Sequence, residues 1–124
     1  MKLFKTIIPV VVAFVFACLL SSCEYETIKP EPAVVIAPGT VVKFSQSILP
    51  IFSKYQCTAC HPNTMGLDFN PANAYASLQK VVNTASPASS MFYIQMSSTH
   101  NGKTLTPQER ANILEWIKEG ALNN

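Results

Sequence analysis

The 124-residue chain predicts an all-α domain of short helices, on three observations. Proline follows a capping residue at Asn70-Pro71, Ser86-Pro87 and Thr106-Pro107, which marks helix starts because a missing N–H costs nothing in the first turn. Between these points apolar residues recur at helical spacing. No stretch alternates apolar and polar residues as a half-buried strand does, and no internal repeat is evident.

The N-terminal segment is read first, because it is subtracted from the domain. Lys2 and Lys5 precede an apolar run of 14 residues from Ile7 to Leu20. A spanning helix needs about 20 residues, so the run fits the apolar region of a secretory leader better than a membrane span. It ends in "LSSC", Leu20 to Cys23, which resembles the lipobox of bacterial lipoproteins. That resemblance implies a signal peptide over residues 1–22, cleavage before Cys23 and lipidation of its thiol, and so an exported protein held by lipid at a bacterial membrane, facing the periplasm. An ordinary signal peptide with a free or disulfide-bonded Cys23 is the alternative.

Without residues 1–22 the apparent basicity disappears: seven Lys and Arg remain against seven Asp and Glu. No polybasic patch is left to suggest a nucleic acid partner. Residues 23–41 carry Pro30, Pro32, Pro38 and Gly39 and read as an extended tether, while the apolar patch Val34 to Ile36 offers a docking segment as the alternative. The domain proper is assigned to residues 42–124.

Its first element is "FSQSILPIFSKY", with Phe44, Ile48, Ile51, Phe52 and Tyr55 at helical spacing and Pro50 breaking it into two short turns. "PANAYASLQKVV" from Pro71 and "ASSMFYIQM" after Pro87 follow as helices. The last, "PQERANILEWIKEGA", has Thr106 as cap and Glu109 placed for a capping box. Ile113, Leu114, Trp116 and Ile117 form its apolar face, and Gly120 suits the left-handed residue that ends it. About 80 such residues bury little apolar surface against the entropy of ordering them.

Between the first two helices stands "YQCTACHPNTMGLDFN", Tyr55 to Asn70. Cys-x-x-Cys alone serves a disulfide, a zinc ion or a redox exchange. Cys57-x-x-Cys60-His61 adds an imidazole directly after the second thiol, which covalent haem attachment requires and the other uses do not. A disulfide would close too short a loop to stabilise much and would leave His61 unexplained. A four-ligand zinc set of Cys57, Cys60, His61 and His100 is the remaining alternative, awkward because Cys60 and His61 are adjacent. Haem would also supply the missing core, with Phe52, Phe69, Tyr75, Phe92 and Trp116 serving as pocket and core together.

With the motif in place, the domain resembles the small class I-like c-type cytochromes found in bacterial lipoproteins and multidomain exported proteins. The resemblance spans the domain through "ILPIF" (48–52), "CTACH" (57–61), "GLD" (66–68), "SMFY" (90–93), "LTPQE" (105–109) and "WIKEGA" (116–121). It implies a cytochrome c-like fold packed round haem c, thioether bonds from Cys57 and Cys60, and His61 as proximal iron ligand. By its spacing the motif puts both sulfurs within one helical turn, with the next imidazole beneath the iron; His61 is expected to ligate through Nε2 and donate Nδ1–H to a backbone carbonyl.

One departure stands out. The family's distal ligand is usually the methionine of a Met-Pro-Pro-like loop before the last helix, where this chain has "SSTHNGKT". His100, inside that loop, is the first replacement and Met96, one turn after Phe92, the second; an open or water-bound site is the third possibility. Met65 follows His61 too closely to reach the opposite haem face, and Met91 is expected to pack.

No nucleophile and base pair, glycine-rich phosphate loop or acidic pair is legible. The expected function is therefore a membrane-anchored, non-enzymatic carrier of single electrons with a redox partner protein that the sequence does not name. The alternatives are a haem enzyme or gas or peroxide responder with an open distal site, and a haem-bearing docking module of a larger exported complex.

Overall fold

A computed structural model describes residues 34–124. The leader, Cys23 and most of the proposed tether lie outside the described residues. The segment 34–41 is irregular, with a turn closed by Thr40 N–H donating to the Ala37 carbonyl at 3.0 Å. Its Ile36 packs against the core while Val35 is exposed.

Phe44–Ile48 is a wide π-type turn running directly into helix α1, Leu49–Lys54. Pro50 is the reason: it has no N–H to donate and its ring crowds the carbonyl four residues back, so the ladder opens there by one residue. The start of this turn is capped from the far end of the chain. Asn124 accepts the Phe44 N–H through Oδ1 at 2.8 Å and the Ser45 N–H through its carbonyl at 3.0 Å, and Glu119 Oε2 accepts the Val42 N–H at 3.0 Å.

After a 3-10 turn at Cys57–Ala59 the chain forms an antiparallel hairpin, β1 (Pro62–Thr64) against β2 (Leu67–Asp68). Met65 and Gly66 make its turn with φ of 58° and 74°, the conformation that suits two-residue hairpins. Helices take up somewhat less than half of the described residues beside one small sheet, so the domain is helix-rich but not plainly all-α. Strands of two and three residues are too short to show alternation, which is why the pattern gave no sign of them.

Two predicted helices are shorter than their sequence pattern. The Asn70-Pro71 start yields turns and then α2 at Ala74–Leu78; Asn70 does not cap it, and its amide instead donates to Asp68 at 2.6 Å. The Ser86-Pro87 start yields a 3-10 turn at Pro87–Ser89, then a break at extended Ser90, then α3 at Met91–Ser97. Ser90 is buried, and its hydroxyl is taken by the Asn83 N–H at 2.7 Å rather than by the helix.

Helix α4, Pro107–Lys118, follows the sequence closely. Thr106 and Glu109 form the reciprocal capping box. At the other end Gly120 has φ of 95°, with Ala121 N–H donating to the Trp116 carbonyl at 2.9 Å and Gly120 N–H to that of Ile117 at 3.1 Å. This pair of bonds is the Schellman termination. Ile113, Trp116 and Ile117 are fully buried, whereas Leu114 is only half-buried.

The aromatic core has two parts. Phe44 sits against Trp116 at 5.6 Å and against Tyr75 at 5.4 Å. Phe52 stacks on Phe69 at 4.6 Å, with Phe92 at 6.1 Å. Only the second group borders the cavity described next, so the expectation that all the aromatic residues serve both pocket and core holds for Phe52, Phe69 and Phe92 and not for Tyr75 or Trp116.

Candidate functional site

The motif is presented by one tight turn. Gln56, at φ of 53°, reverses the chain out of α1. Cys60 N–H at 3.2 Å and His61 N–H at 2.9 Å then both donate to the Cys57 carbonyl. All three residues therefore lie on a single turn, as their spacing predicts. Phe69 N–H donates to the His61 carbonyl at 3.0 Å, so the base of the β1–β2 hairpin holds the imidazole against the Phe69 ring, centroids 5.1 Å apart.

Cys57 and Cys60 are both free thiols. Cys57 is half-buried and Cys60 exposed. Burial pushes the Cys57 thiol above its ordinary pKa, with the Lys103 ammonium acting weakly in the other direction. Asn101 Nδ2 lies 3.6 Å from Cys60 Sγ, a weak contact that links the motif to the later loop.

That loop is not a solvated coil. His100 and Lys103 exchange backbone hydrogen bonds of 2.9 and 3.0 Å, and Asn101 and Gly102 between them have φ of 49° and 74°. Asn-Gly with two positive φ values is the favoured two-residue hairpin turn. The Thr99 and Thr104 hydroxyls, 2.8 Å apart, extend the cross-link. The turn places the His100 ring 6.3 Å from that of His61, with the planes 23° apart. Gln95 Oε1 lies 3.3 Å from His100 Nδ1; with the proton on Nδ1, the lone pair remains on Nε2.

Between the two rings and the Phe52 cluster is a cavity of about 540 Å³, bordered by the motif, the hairpin and α3. This is within the size range of small-molecule and cofactor sites. Met96 is half-buried, packs against the core and also borders this cavity. Met65 and Met91 stand at its edge, 88% and 56% exposed, so Met91 does not pack as expected. A second cavity of about 400 Å³ lies between residues 34–41 and α4 and contains none of the candidate residues.

His61 departs from its expected hydrogen bonding. Its Nδ1 is buried and has no partner, so the anticipated bond to a backbone carbonyl is absent. Among the described residues no three His, Cys, Asp or Glu side chains converge as a metal-holding group; the four-ligand zinc set is not assembled. The sequence reading missed Gln95 and Asn101. The Asn-Gly dipeptide was a signal for the turn, whereas nothing in the order of residues pointed to Gln95.

No protein-family model, curated protein or solved structure matches this chain.

Proposed function

We propose that this chain is a lipid-anchored carrier of single electrons, holding haem c in the cavity beside Cys57, Cys60 and His61. The observation that carries the reading is the apposition of His61 and His100. Two imidazoles ligating one metal from opposite sides at about 2.0–2.1 Å put their ring centres roughly 6 Å apart, and here the separation is 6.3 Å. Two protein ligands are what a metal needs when a planar ring already supplies four. In His61 it is Nδ1 that is buried without a partner, so the protein does not fix which ring nitrogen carries the proton, while Gln95 beside Nδ1 of His100 leaves that ring's Nε2 lone pair available when Nδ1 is protonated.

Bound haem supplies a one-electron iron couple whose potential follows its axial ligands. The protein's part is attachment, orientation and exclusion of water. Cys57 and Cys60 would hold the haem through thioethers, each of which would form by addition of S–H across a vinyl group, sulfur to one carbon and hydrogen to the other, with no oxidant consumed. Phe52, Phe69 and Phe92 supply the apolar wall. As distal ligand His100 would fill the position that an enzyme or gas responder keeps open, which is why the carrier reading is preferred; Met96, bordering the same cavity, is the runner-up ligand.

The test is maturation of the full chain with the cytochrome c assembly machinery. The expected product carries haem that survives denaturation and is lost or weakened in Cys57→Ala and Cys60→Ala. A matured chain with no Soret band overturns the reading. For the anchor, Cys23→Ala is expected to move the protein from the membrane fraction to the soluble exported fraction; equal retention would count against lipidation.

A further inference from the structure

Away from the cavity, one carboxylate that touches neither histidine makes contacts that its own helix does not require. Glu109 is the third residue of α4, and a capping box needs it only to accept the Thr106 N–H, at 2.8 Å here. It does more. Its Oε1 accepts from Lys54 Nζ at 2.7 Å and its Oε2 from the Tyr55 hydroxyl at 2.7 Å. These two partners end helix α1, immediately before Gln56 and the Cys57 turn. Thr106, on the other side, ends the segment that carries His100.

From each side of Glu109 the chain itself, braced by a few hydrogen bonds, leads to the backbone of one histidine. Arg110 Nη1 donates to the Leu105 carbonyl at 2.6 Å; the Thr104 and Thr99 hydroxyls pair, and Lys103 pairs with His100. On the motif side Tyr55 leads through Gln56 to Cys57, whose carbonyl accepts the His61 N–H at 2.9 Å. Nothing in a helix cap requires the contacts to Lys54 and Tyr55. A glutamine would keep one acceptor for the cap but set an amide N–H₂ against a donor on the other side.

We propose that Glu109 is a positioning residue: by joining the end of α1 to the start of α4 it sets the apposition of His61 and His100. The inference that this apposition governs axial ligation rests on the haem reading, but the apposition itself does not. The variants are Glu109→Ala, Tyr55→Phe and, as control, Thr106→Ala, which breaks the cap while leaving Lys54 and Tyr55 on the carboxylate.

In the full chain with haem attached, Glu109→Ala is expected to lose the low-spin ferric spectrum and regain it on addition of free imidazole. Tyr55→Phe shifts partway, and Thr106→Ala lowers stability with the spectrum unchanged. A low-spin spectrum retained in Glu109→Ala, or one lost equally in Thr106→Ala, overturns the proposal. If the chain carries no haem, the readout is the nuclear Overhauser contact between the His61 and His100 ring protons. It is expected in wild type and Thr106→Ala and lost in Glu109→Ala; its persistence in Glu109→Ala overturns the proposal without reference to haem.

Discussion

The His100 ring stands 6.3 Å from the His61 ring, with the planes 23° apart, and both residues border the candidate cavity. Two different turns bring them there, the Cys57 turn by its carbonyl and the Asn101-Gly102 turn by paired backbone bonds at His100 and Lys103. With haem bound, His100→Ala is expected to convert a six-coordinate low-spin spectrum to high spin, while Met96→Ala leaves it low-spin. A weak band at the red end of the oxidised spectrum, present in wild type and lost only in Met96→Ala, would make the methionine the ligand.

Gly102 is expected to control how well that turn holds. A Cβ at this position meets nothing within 4 Å, so the cost of Gly102→Ala is conformational, from φ of 74°. It should destabilise the domain by about 1 kcal/mol, read by chemical denaturation. An unchanged midpoint would mean the turn relaxes freely.

Glu109 predicts an acid limb of stability. Burial pushes its carboxyl up, but hydrogen bonds from Lys54, Tyr55 and Thr106 outweigh this and carry the pKa down from 4.5 to about 2. A depressed carboxylate contributes fully above its unfolded pKa and loses that contribution as pH falls through the folded one. Stability should therefore decline between about pH 4.5 and 2. With the side chain 15% exposed and the bridge to an exposed lysine partly screened, the contribution is about 1–2 kcal/mol. Urea melts of Glu109→Gln across this range should show a shallower acid decline than wild type.

The two thiols should differ in reactivity before any haem is attached. Cys60 is exposed, whereas Cys57 is half-buried with its thiol pKa raised by burial, and alkylation proceeds through the thiolate. Iodoacetamide followed by peptide mass analysis is expected to label Cys60 first. In the haem-bearing chain both should be protected.

Trp116 should be the costliest single truncation. It is fully buried against Phe44, and its Nε1–H donates to the Leu122 carbonyl at 2.8 Å. Trp116→Ala is expected to cost about 3–5 kcal/mol. Trp116→Phe keeps most of the ring but abandons that carbonyl, and should cost about 1–2 kcal/mol. A Trp116→Phe variant as stable as wild type would show that the hydrogen bond contributes nothing.

The features legible in advance share one property, that their partners are close in the chain. The Thr106 cap reaches Glu109, the Gly120 termination reaches back to Trp116, and Cys57 reaches His61. Each depends on dihedral preferences and bonds within one or two turns, which residue type and spacing express directly. Local signals were misread where a neighbouring group outside the expected helix competed for them. Ser90 gives its hydroxyl to Asn83 and breaks the helix predicted through it, and Asn70 gives its amide to Asp68 instead of capping α2.

By itself, then, the order of residues determined the start and stop of α4, the Cys57-x-x-Cys60-His61 turn, and a short set of residues able to face His61. The tertiary structure decided which of them does. His100 meets His61 because a tight Asn-Gly turn, the Gln95 side chain and the Glu109 contacts to Lys54 and Tyr55 act together. The same holds for Asn124 capping Phe44 and Ser45 from the far end of the chain. Such contacts come from packing between remote segments, whose energy depends on where the rest of the core settles; spacing along the chain carries no record of that.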